Sequence, residues 1–126
     1  MRVTRVSMFA SYKFANGDVY TGEFKNGLFH NRGCFSKADG EEYDGEFRNG
    51  MRNGLGTTRY PNLDVHEGMW VNDQKEGFGK CLYRNTNKYM GEFRGGKRHG
   101  EGTMHFASGH KQSGRWEDDR LVEPDI

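Results

Sequence analysis

The sequence predicts an all-β fold built from antiparallel hairpins, and three observations lead to this prediction. A short phrase recurs at steps of 23 residues or multiples of 23, as YTGEFKNG from Tyr20, YDGEFRNG from Tyr43 and YMGEFRGG from Tyr89. Gly supplies 19 of the 126 residues and aromatic residues supply 13%, while only two residues are Pro. Hydrophobic residues make up only 33% of the chain, which is little for a thick two-layer core.

The first element of each repeat is an outgoing strand with a central glycine. Aromatic residues stand two places before and two places after most of these glycines, as in Tyr20 and Phe24. Side chains of a strand alternate between its two faces, so this spacing predicts one aromatic face. The glycines follow each other at steps of 23 residues without insertion: Gly22, Gly45, Gly68, Gly91 and Gly114.

A turn and a returning strand follow each outgoing strand. Pairs such as Asn26-Gly27 tolerate positive φ and predict a hairpin tip. The returning strand carries a second glycine series: Gly33, Gly56, Gly79 and Gly102. If Gly22 faces Gly33, the two missing side chains open a slot in which neighbouring rings lie over bare backbone. A second turn, such as the one at Asn16-Gly17-Asp18, leads to the next repeat, and no gap has room for a crossover helix.

The repeat phase divides the chain into three predicted parts. Residues 1–11 form an N-terminal capping strand region, in which Met8 and Ala10 stand at the two glycine places. Residues 12–116 form the repeat array, with about five hairpins. Residues 117–126 form a C-terminal tail whose charges and Pro124 blunt the last sheet edge. If the tail does not cover that edge, it is open to pairing with a second chain and allows a homodimer.

Composition excludes several classes of function. The formal net charge is +1, so no overall field favours nucleic acid. No apolar run approaches the length of a membrane helix, which makes a soluble cytoplasmic protein the default expectation. Cys34 and Cys81 lie two repeats and one residue apart, so we expect free thiols on opposite faces. No residue pattern indicates a catalytic site, a metal site or a cofactor.

The repeated phrases resemble the MORN repeat, whose pattern is Y-x-G-E-W/F-x-x-G-K-x-x-G-x-G, and the resemblance covers about Tyr12 to Trp116. It implies an elongated, single-layer, twisted antiparallel sheet of 23-residue hairpins with an aromatic groove and no catalytic activity of its own. Family members act as scaffolds near cilia, cytoskeleton and membranes, or as appendages of enzymes. The third repeat departs most from the pattern, with Met69 at the Glu place and Asp73 at a Gly place, and Asn31 and Arg115 are further departures.

Three surfaces are candidate sites. The first is a groove of aromatic side chains that receives a helix or extended peptide of a protein partner: Tyr20, Phe24, Tyr43, Phe47, Tyr60, Trp70, Tyr83, Tyr89, Phe93, Phe106 and Trp116. The second is an apolar patch on the opposite face, formed by Met69, Val71, Leu82 and Met90. The third is a basic edge of hairpin loops that faces anionic phospholipid: Lys25, Arg48, Arg52, Lys75, Arg94, Lys97 and Arg98.

The sequence therefore predicts a non-catalytic scaffold that binds a protein partner in its aromatic groove, in a cytoskeletal or ciliary assembly. Two alternatives stay open. The chain is a peripheral membrane adaptor that uses the basic edge, or it is a regulatory repeat segment of a larger enzyme.

Overall fold

The computed structural model of the chain describes residues 7–125, which form one sheet of eleven antiparallel strands in sequence order. The predicted all-β fold of a single antiparallel sheet is confirmed. Residues 1–6 of the expected capping region and Ile126 of the expected tail lie outside the described residues. The strands are β1 (Ser7–Lys13), β2 (Val19–Lys25), β3 (Leu28–Ser36), β4 (Glu42–Arg48), β5 (Met51–Arg59), β6 (Val65–Val71), β7 (Gln74–Leu82), β8 (Lys88–Arg94), β9 (Lys97–His105), β10 (Lys111–Glu117) and β11 (Arg120–Pro124).

Two kinds of turn alternate along the chain. The first is a two-residue tip, as between β2 and β3, where Lys25 pairs directly with Leu28. Asn26 and Gly27 there have φ of 54° and 77°. Two successive positive φ angles match the right-handed twist of the flanking strands, which explains the Asn-Gly pair. The tips follow the predicted sites, and the strands extend right up to them.

The second kind of turn is a loop of five residues on the opposite edge of the sheet. In the first of these loops, the Phe14 N–H donates to the carbonyl of Asp18 at 2.8 Å, and the Gly17 N–H donates to the carbonyl of Phe14 at 3.0 Å. The carboxylate of Asp18 also accepts from the Ala38 N–H of the next loop at 2.8 Å. This bond, from a main-chain N–H to a side-chain carboxylate, links the first five-residue loop to the second.

An unbroken row of nine glycines crosses the sheet from β2 to β10. Each faces the next across a strand pair, in the order Gly22, Gly33, Gly45, Gly56, Gly68, Gly79, Gly91, Gly102 and Gly114. A Cβ at Gly45 would collide with the Cα of Gly56, and a Cβ at Gly56 would enter the ring of Tyr43. The predicted opposition of Gly22 and Gly33 is confirmed, and the row forms a shallow trench.

The residues after Trp116 continue the sheet. Asp118 and Asp119 form another two-residue tip, with φ of 48° and 72°, and β11 returns beside β10. Leu121 of β11 packs on the cluster around Trp116. The segment expected as a tail therefore contributes an eleventh strand and covers the edge of β10. No helix within residues 7–125 has the length and apolarity needed to cross a membrane.

Candidate functional site

The trench of glycines lets aromatic rings reach across a whole strand. Tyr20 on β2 contacts Phe47 on β4 edge to face, with ring centroids 5.3 Å apart, because Gly33 on the strand between has no side chain. The Tyr20 hydroxyl donates to the carbonyl of Glu23 at 2.7 Å, and Tyr43 and Tyr89 make the same bond at 2.8 and 3.0 Å. The hydroxyl bond fixes the outer end of each phenol ring, and the bond to Cβ fixes the other.

These edge-to-face contacts connect into one chain of nine rings, which we name the aromatic spine. Neighbouring rings are 79° to 87° from parallel, an arrangement that aromatic pairs favour. The spine runs in contact order through Phe24, Tyr20, Phe47, Tyr43, Trp70, His66, Phe93, Tyr89 and Trp116.

Seven of the eleven side chains that the sequence assigned to the partner groove lie in the spine and are buried: Tyr20, Tyr43, Phe47, Trp70, Tyr89, Phe93 and Trp116. Burial raises the pKa of Tyr43 above its ordinary value and that of Tyr89 to about 12. These rings form the core of the sheet, and little of their surface is open to solvent. The four half-buried groove residues are Phe24, Tyr60, Tyr83 and Phe106.

A second row of rings lies above the spine and was partly missed from the sequence. Phe29 stacks on Tyr20 with centroids 3.8 Å apart, and Phe14 and Phe35 contact Phe29 at 6.1 and 5.6 Å. Phe29 is not among the predicted groove residues. The two-residue tip places it in β3, and counting alternate residues back from Gly33 would have found it.

Three cations occupy the place of Phe29 in the later repeats and lie over rings. The guanidinium of Arg52 is 4.2 Å from the ring centroid of Trp70, and that of Arg98 is 5.1 Å from Trp116. The Lys75 ammonium is 5.1 Å from the ring of Tyr60. These three residues were expected on the basic edge, whereas the structure places them over the aromatic face.

The remaining four predicted basic residues stay near the two-residue tips. Arg48, Arg94 and Lys97 are exposed, and Lys25 is half-buried. The edge therefore carries fewer free cations than the sequence suggested.

Asp73 and Asp119 pair with two of the cations. The Asp73 carboxylate accepts from Nε of Arg52 at 3.1 Å and from its main-chain N–H at 2.8 Å. Asp119 accepts from the same two groups of Arg98, at 3.2 and 2.9 Å. Asp73, which departs from the repeat pattern, therefore makes a specific contact within the chain.

Clefts follow one another along the aromatic face of residues 7–125. The N-terminal cleft has a volume of 460 Å³ and is lined by Tyr12, Phe14, Phe24 and Phe29. Clefts of 220, 260 and 510 Å³ follow, and their walls include the cations Arg52, Lys75 and Arg98. The groove thus changes from apolar at its N-terminal end to charged in its C-terminal half.

The third repeat has a polar floor where the others have phenol rings. His66 takes the Tyr place and is 1% exposed, with Nδ1 3.0 Å from Sγ of Cys81. Its Nε2 has no hydrogen-bond partner within residues 7–125, and neither has the hydroxyl of buried Thr58. Burial, and next to it the charge of Lys75, lower the pKa of His66 to about 3. The imidazole is therefore neutral at physiological pH.

The opposite face of the sheet carries the second predicted site. Met69, Val71, Leu82 and Met90 are all exposed there, between 36% and 45%. Leu55, directly across from Met69, and Phe78 are more exposed, at 60% and 59%, and were missed. Both stand between two glycines, and the same alternation would have placed them on this face.

Met69 makes this row apolar because it replaces a glutamate. In other repeats the glutamate carboxylate accepts a main-chain N–H at a β-bulge, as Glu46 accepts from Leu55 at 2.7 Å and Glu92 from Glu101 at 2.8 Å. Asn31 stands at the bulge with φ of 54°, a conformation that Asn tolerates, so it replaces the expected Gly at little cost.

Both cysteines are free thiols. Cys81 is buried beside His66, and burial raises its pKa. Cys34 lies on β3 and Cys81 on β7, four strands apart, which agrees with the expected separation. Cys34 is paired with Asp44 of β4, on the face opposite the aromatic rings.

A sheet of similar hairpins, with the aromatic spine along one face and no second layer within residues 7–125, defines a β-hairpin repeat module. The family model for the MORN repeat matches four consecutive segments, residues 20–42, 43–65, 66–88 and 89–111. The chain belongs to the MORN-repeat family. MORN repeats are non-catalytic repeat modules, usually in protein-binding or membrane-binding roles. No curated protein matched the chain in the comparison.

Proposed function

We propose that the chain is a non-catalytic scaffold that binds a segment of a protein partner, either a helix or an extended peptide, along its aromatic groove. The observation that carries this proposal is the second row of rings above the buried spine. Phe14, Phe29, Tyr60 and Tyr83 are only half-buried and line consecutive clefts. A partner side chain that enters these clefts would bury the remaining ring area, at roughly 25 cal/mol per Å².

A groove in a single-layer sheet has a physical advantage as a binding site. The spine beneath it is already packed, so the open rings are held in place before a partner arrives. A preformed site loses little conformational entropy on binding. The charged C-terminal half then sets the direction in which a partner segment lies.

The lipid alternative has less support. Of the seven cations assigned to the basic edge, Arg52, Lys75 and Arg98 lie over rings, and Arg52 and Arg98 pair with carboxylates. An anionic membrane surface attracts clusters of free basic residues. The remaining exposed cations are spread over two tips.

The cytoskeletal or ciliary setting rests on the family resemblance, and the cytoplasmic location is part of the same proposal. The open edges of β1 and β11 allow a homodimer, which we also hold as a proposal. Imaging of a fluorescently tagged chain tests the setting, and sedimentation of the purified chain tests the oligomeric state.

Peptide selection tests the groove directly. Random 12-residue peptides displayed on phage are selected on the purified chain, and the dissociation constants of the selected peptides are measured by fluorescence anisotropy. We expect Phe29→Ala to weaken binding about tenfold or more, because it removes a ring that a partner would cover. Tyr43→Ser is unsuitable as a probe, since Tyr43 is part of the buried spine.

Leu82→Lys is the matched control, because Leu82 is exposed on the opposite face. The groove proposal requires that Leu82→Lys leave binding unchanged. Loss of binding in Leu82→Lys alone would move the site to the apolar patch. Binding of vesicles that contain phosphatidylserine, without any selected peptide, would favour the membrane alternative.

A further inference from the structure

Lys75 differs from the two cations at equivalent positions because the chain gives it no carboxylate. Arg52 and Arg98 each pair with the aspartate of the following tip, Asp73 or Asp119. At the corresponding place after Lys75 stands Gly96, whose N–H donates to the Lys75 carbonyl at 3.1 Å. Within residues 7–125, no carboxylate forms an ion pair with Lys75.

The backbone at Gly96 has the same shape as at the two aspartates. Its φ is 85°, compared with 70° at Asp73 and 72° at Asp119. A Cβ built on Gly96 would meet no atom within 4 Å, so the space that an aspartate fills in the other repeats is open. This space belongs to the 260 Å³ cleft that Lys75, Tyr60 and Tyr83 also line.

Two carboxylates line the same cleft, and both already have partners. Asp119 is paired with Arg98 at 3.2 Å. Asp64 accepts from the Arg84 N–H at 2.8 Å and from the amide of Asn62 at 3.0 Å. Lys75 is therefore the cation of this cleft that has no ion-pair partner within residues 7–125, and its ammonium lies near the ring faces of Tyr60 and Phe93, 5.1 and 6.0 Å from their centroids.

We propose that the partner segment bound in the groove carries an Asp or Glu side chain, whose carboxylate takes at Lys75 the place that Asp73 takes at Arg52. This inference rests on the proposed function and adds the chemistry of the partner to it. The carboxylate accepts from the Lys75 ammonium in the open space above Gly96. The rings of Tyr60 and Tyr83 contact the methylene groups of the same side chain.

A single carboxylate suits this cleft better than a phosphorylated headgroup. A phosphate monoester carries close to two negative charges at neutral pH and is bound by several cations or N–H donors. Lys75 supplies one free cation, and Arg98 beside it is already neutralised by Asp119. The charge balance therefore matches a protein segment with one acidic residue at this point.

The first experiment supplies the carboxylate from within the chain. Gly96→Asp restores the residue found in the flanking repeats, and Gly96→Asn is the uncharged control with the same backbone demand. We expect the Asp variant to unfold a few degrees above the Asn variant at low salt, and this difference to vanish when Lys75→Met is added. If Gly96→Asp and Gly96→Asn have equal melting temperatures in the chain that keeps Lys75, the inference is overturned, since Lys75 would then not hold a carboxylate there.

The second experiment asks for the acidic residue in the ligand. Peptides of 12 residues are selected in parallel on the native chain, on Lys75→Met, on Gly96→Asp and on Lys97→Met, whose lysine is exposed beside a tip. We expect peptides from the native chain and from Lys97→Met to share an Asp or Glu at one position. Its replacement by Asn or Gln should weaken binding to the native chain about tenfold. Peptides selected on Lys75→Met and on Gly96→Asp should show no preference for an acidic residue at that position.

The outcomes separate the two proposals. Groove-binding peptides without a shared acidic position would overturn the carboxylate inference and leave the proposed function intact. An acidic preference that survives Lys75→Met would also overturn it. Failure to select any peptide would reject the groove function and this inference with it, whatever the melting experiment shows about Lys75.

Discussion

At the scale of single residues, the sheet tolerates no side chain where the glycine row crosses it. We expect Gly56→Ala to lower the free energy of unfolding by about 2 to 3 kcal/mol, because the added methyl group would displace the ring of Tyr43 and with it the spine. Urea unfolding followed by tryptophan fluorescence measures the change.

Gly109→Ala is the control for this prediction, since Gly109 has a positive φ of 93° but open space around its Cβ. It should cost about 1 kcal/mol, the usual cost of a Cβ in left-handed backbone. A loss at Gly56 no larger than that at Gly109 would contradict the packing explanation.

His66 is a second residue that affects stability, in this case through a missing hydrogen bond. Its imidazole leaves Nε2 without a partner in a buried place where Tyr20, Tyr43 and Tyr89 reach a main-chain carbonyl. We expect His66→Tyr to raise the free energy of unfolding by about 1 to 2 kcal/mol through the regained hydrogen bond. His66→Phe has the ring without the hydroxyl, so equal stability of the two variants would contradict the prediction.

His66 also gives the fold a pH dependence. Its pKa is about 3 in the folded chain and about 6.5 when unfolded, so the unfolded chain binds an extra proton between these values. The free energy of unfolding is therefore not reduced by His66 above about pH 6.5, and it falls as the pH drops from there toward 3. From pH 7 to pH 5 we expect a loss of about 2 kcal/mol, measured by urea unfolding.

The matched measurement for this pH effect uses His66→Phe, which has no titrating group at that place. The variant should lose about 2 kcal/mol less than the native chain over the same pH range. If both chains lose the same amount, the acid sensitivity comes from other groups.

At the scale of elements, the five-residue loops are linked by a ladder that has one gap. Asp18 accepts from Ala38, Asp64 from Arg84 and Asn87 from Ala107, each donor 20 residues further on. At the same spacing after Glu41 stands Pro61, which has no N–H to donate.

Closing the gap should stabilise the loop edge. We expect Glu41→Asp together with Pro61→Ala to exceed the sum of the two single changes by about 1 kcal/mol, because only the pair creates the missing hydrogen bond. The coupling is measured by urea unfolding of all four chains. Additive effects would show that the link does not form.

The elements themselves follow from local signals in the sequence, while the site depends on contacts between repeats. The Asn-Gly pairs and alternating aromatics specify strands and tips, because neighbours in sequence are neighbours in the sheet. The burial of Tyr43 was not predictable in the same way, since it depends on Gly56 and on a ring two strands away. The free charge of Lys75 depends on residue 96, at a spacing of 21 residues and not 23.

At the scale of the whole molecule, each strand of residues 7–125 forms main-chain hydrogen bonds only with the strands beside it, and ring contacts reach no further than the second strand along. The end strands β1 and β11 have one neighbour each, and Met8 and Tyr12 on β1 are 58% and 55% exposed. In such nearest-neighbour arrays, local opening begins at the ends.

Hydrogen exchange followed by NMR tests this gradient. We expect main-chain amides of β5 to β7 to exchange most slowly and those of β1 and β11 most rapidly, with intermediate rates between them. Uniform protection across all strands would mean that the sheet opens as a single cooperative unit.

The two edges of the sheet have a consequence for the reach of the protein. The main-chain links from one hairpin to the next recur at fixed spacings. On the edge of the five-residue loops the Ala38 N–H donates to Asp18, 20 residues back, and at the tips the Gly50 N–H donates to the carbonyl of Phe29, 21 residues back. A whole repeat can therefore be gained or lost without breaking the pattern for the others. Each such step changes the length by two strand spacings, about 9.6 Å, and leaves the width unaltered. The distance between the two ends of the sheet is therefore set by the number of repeats.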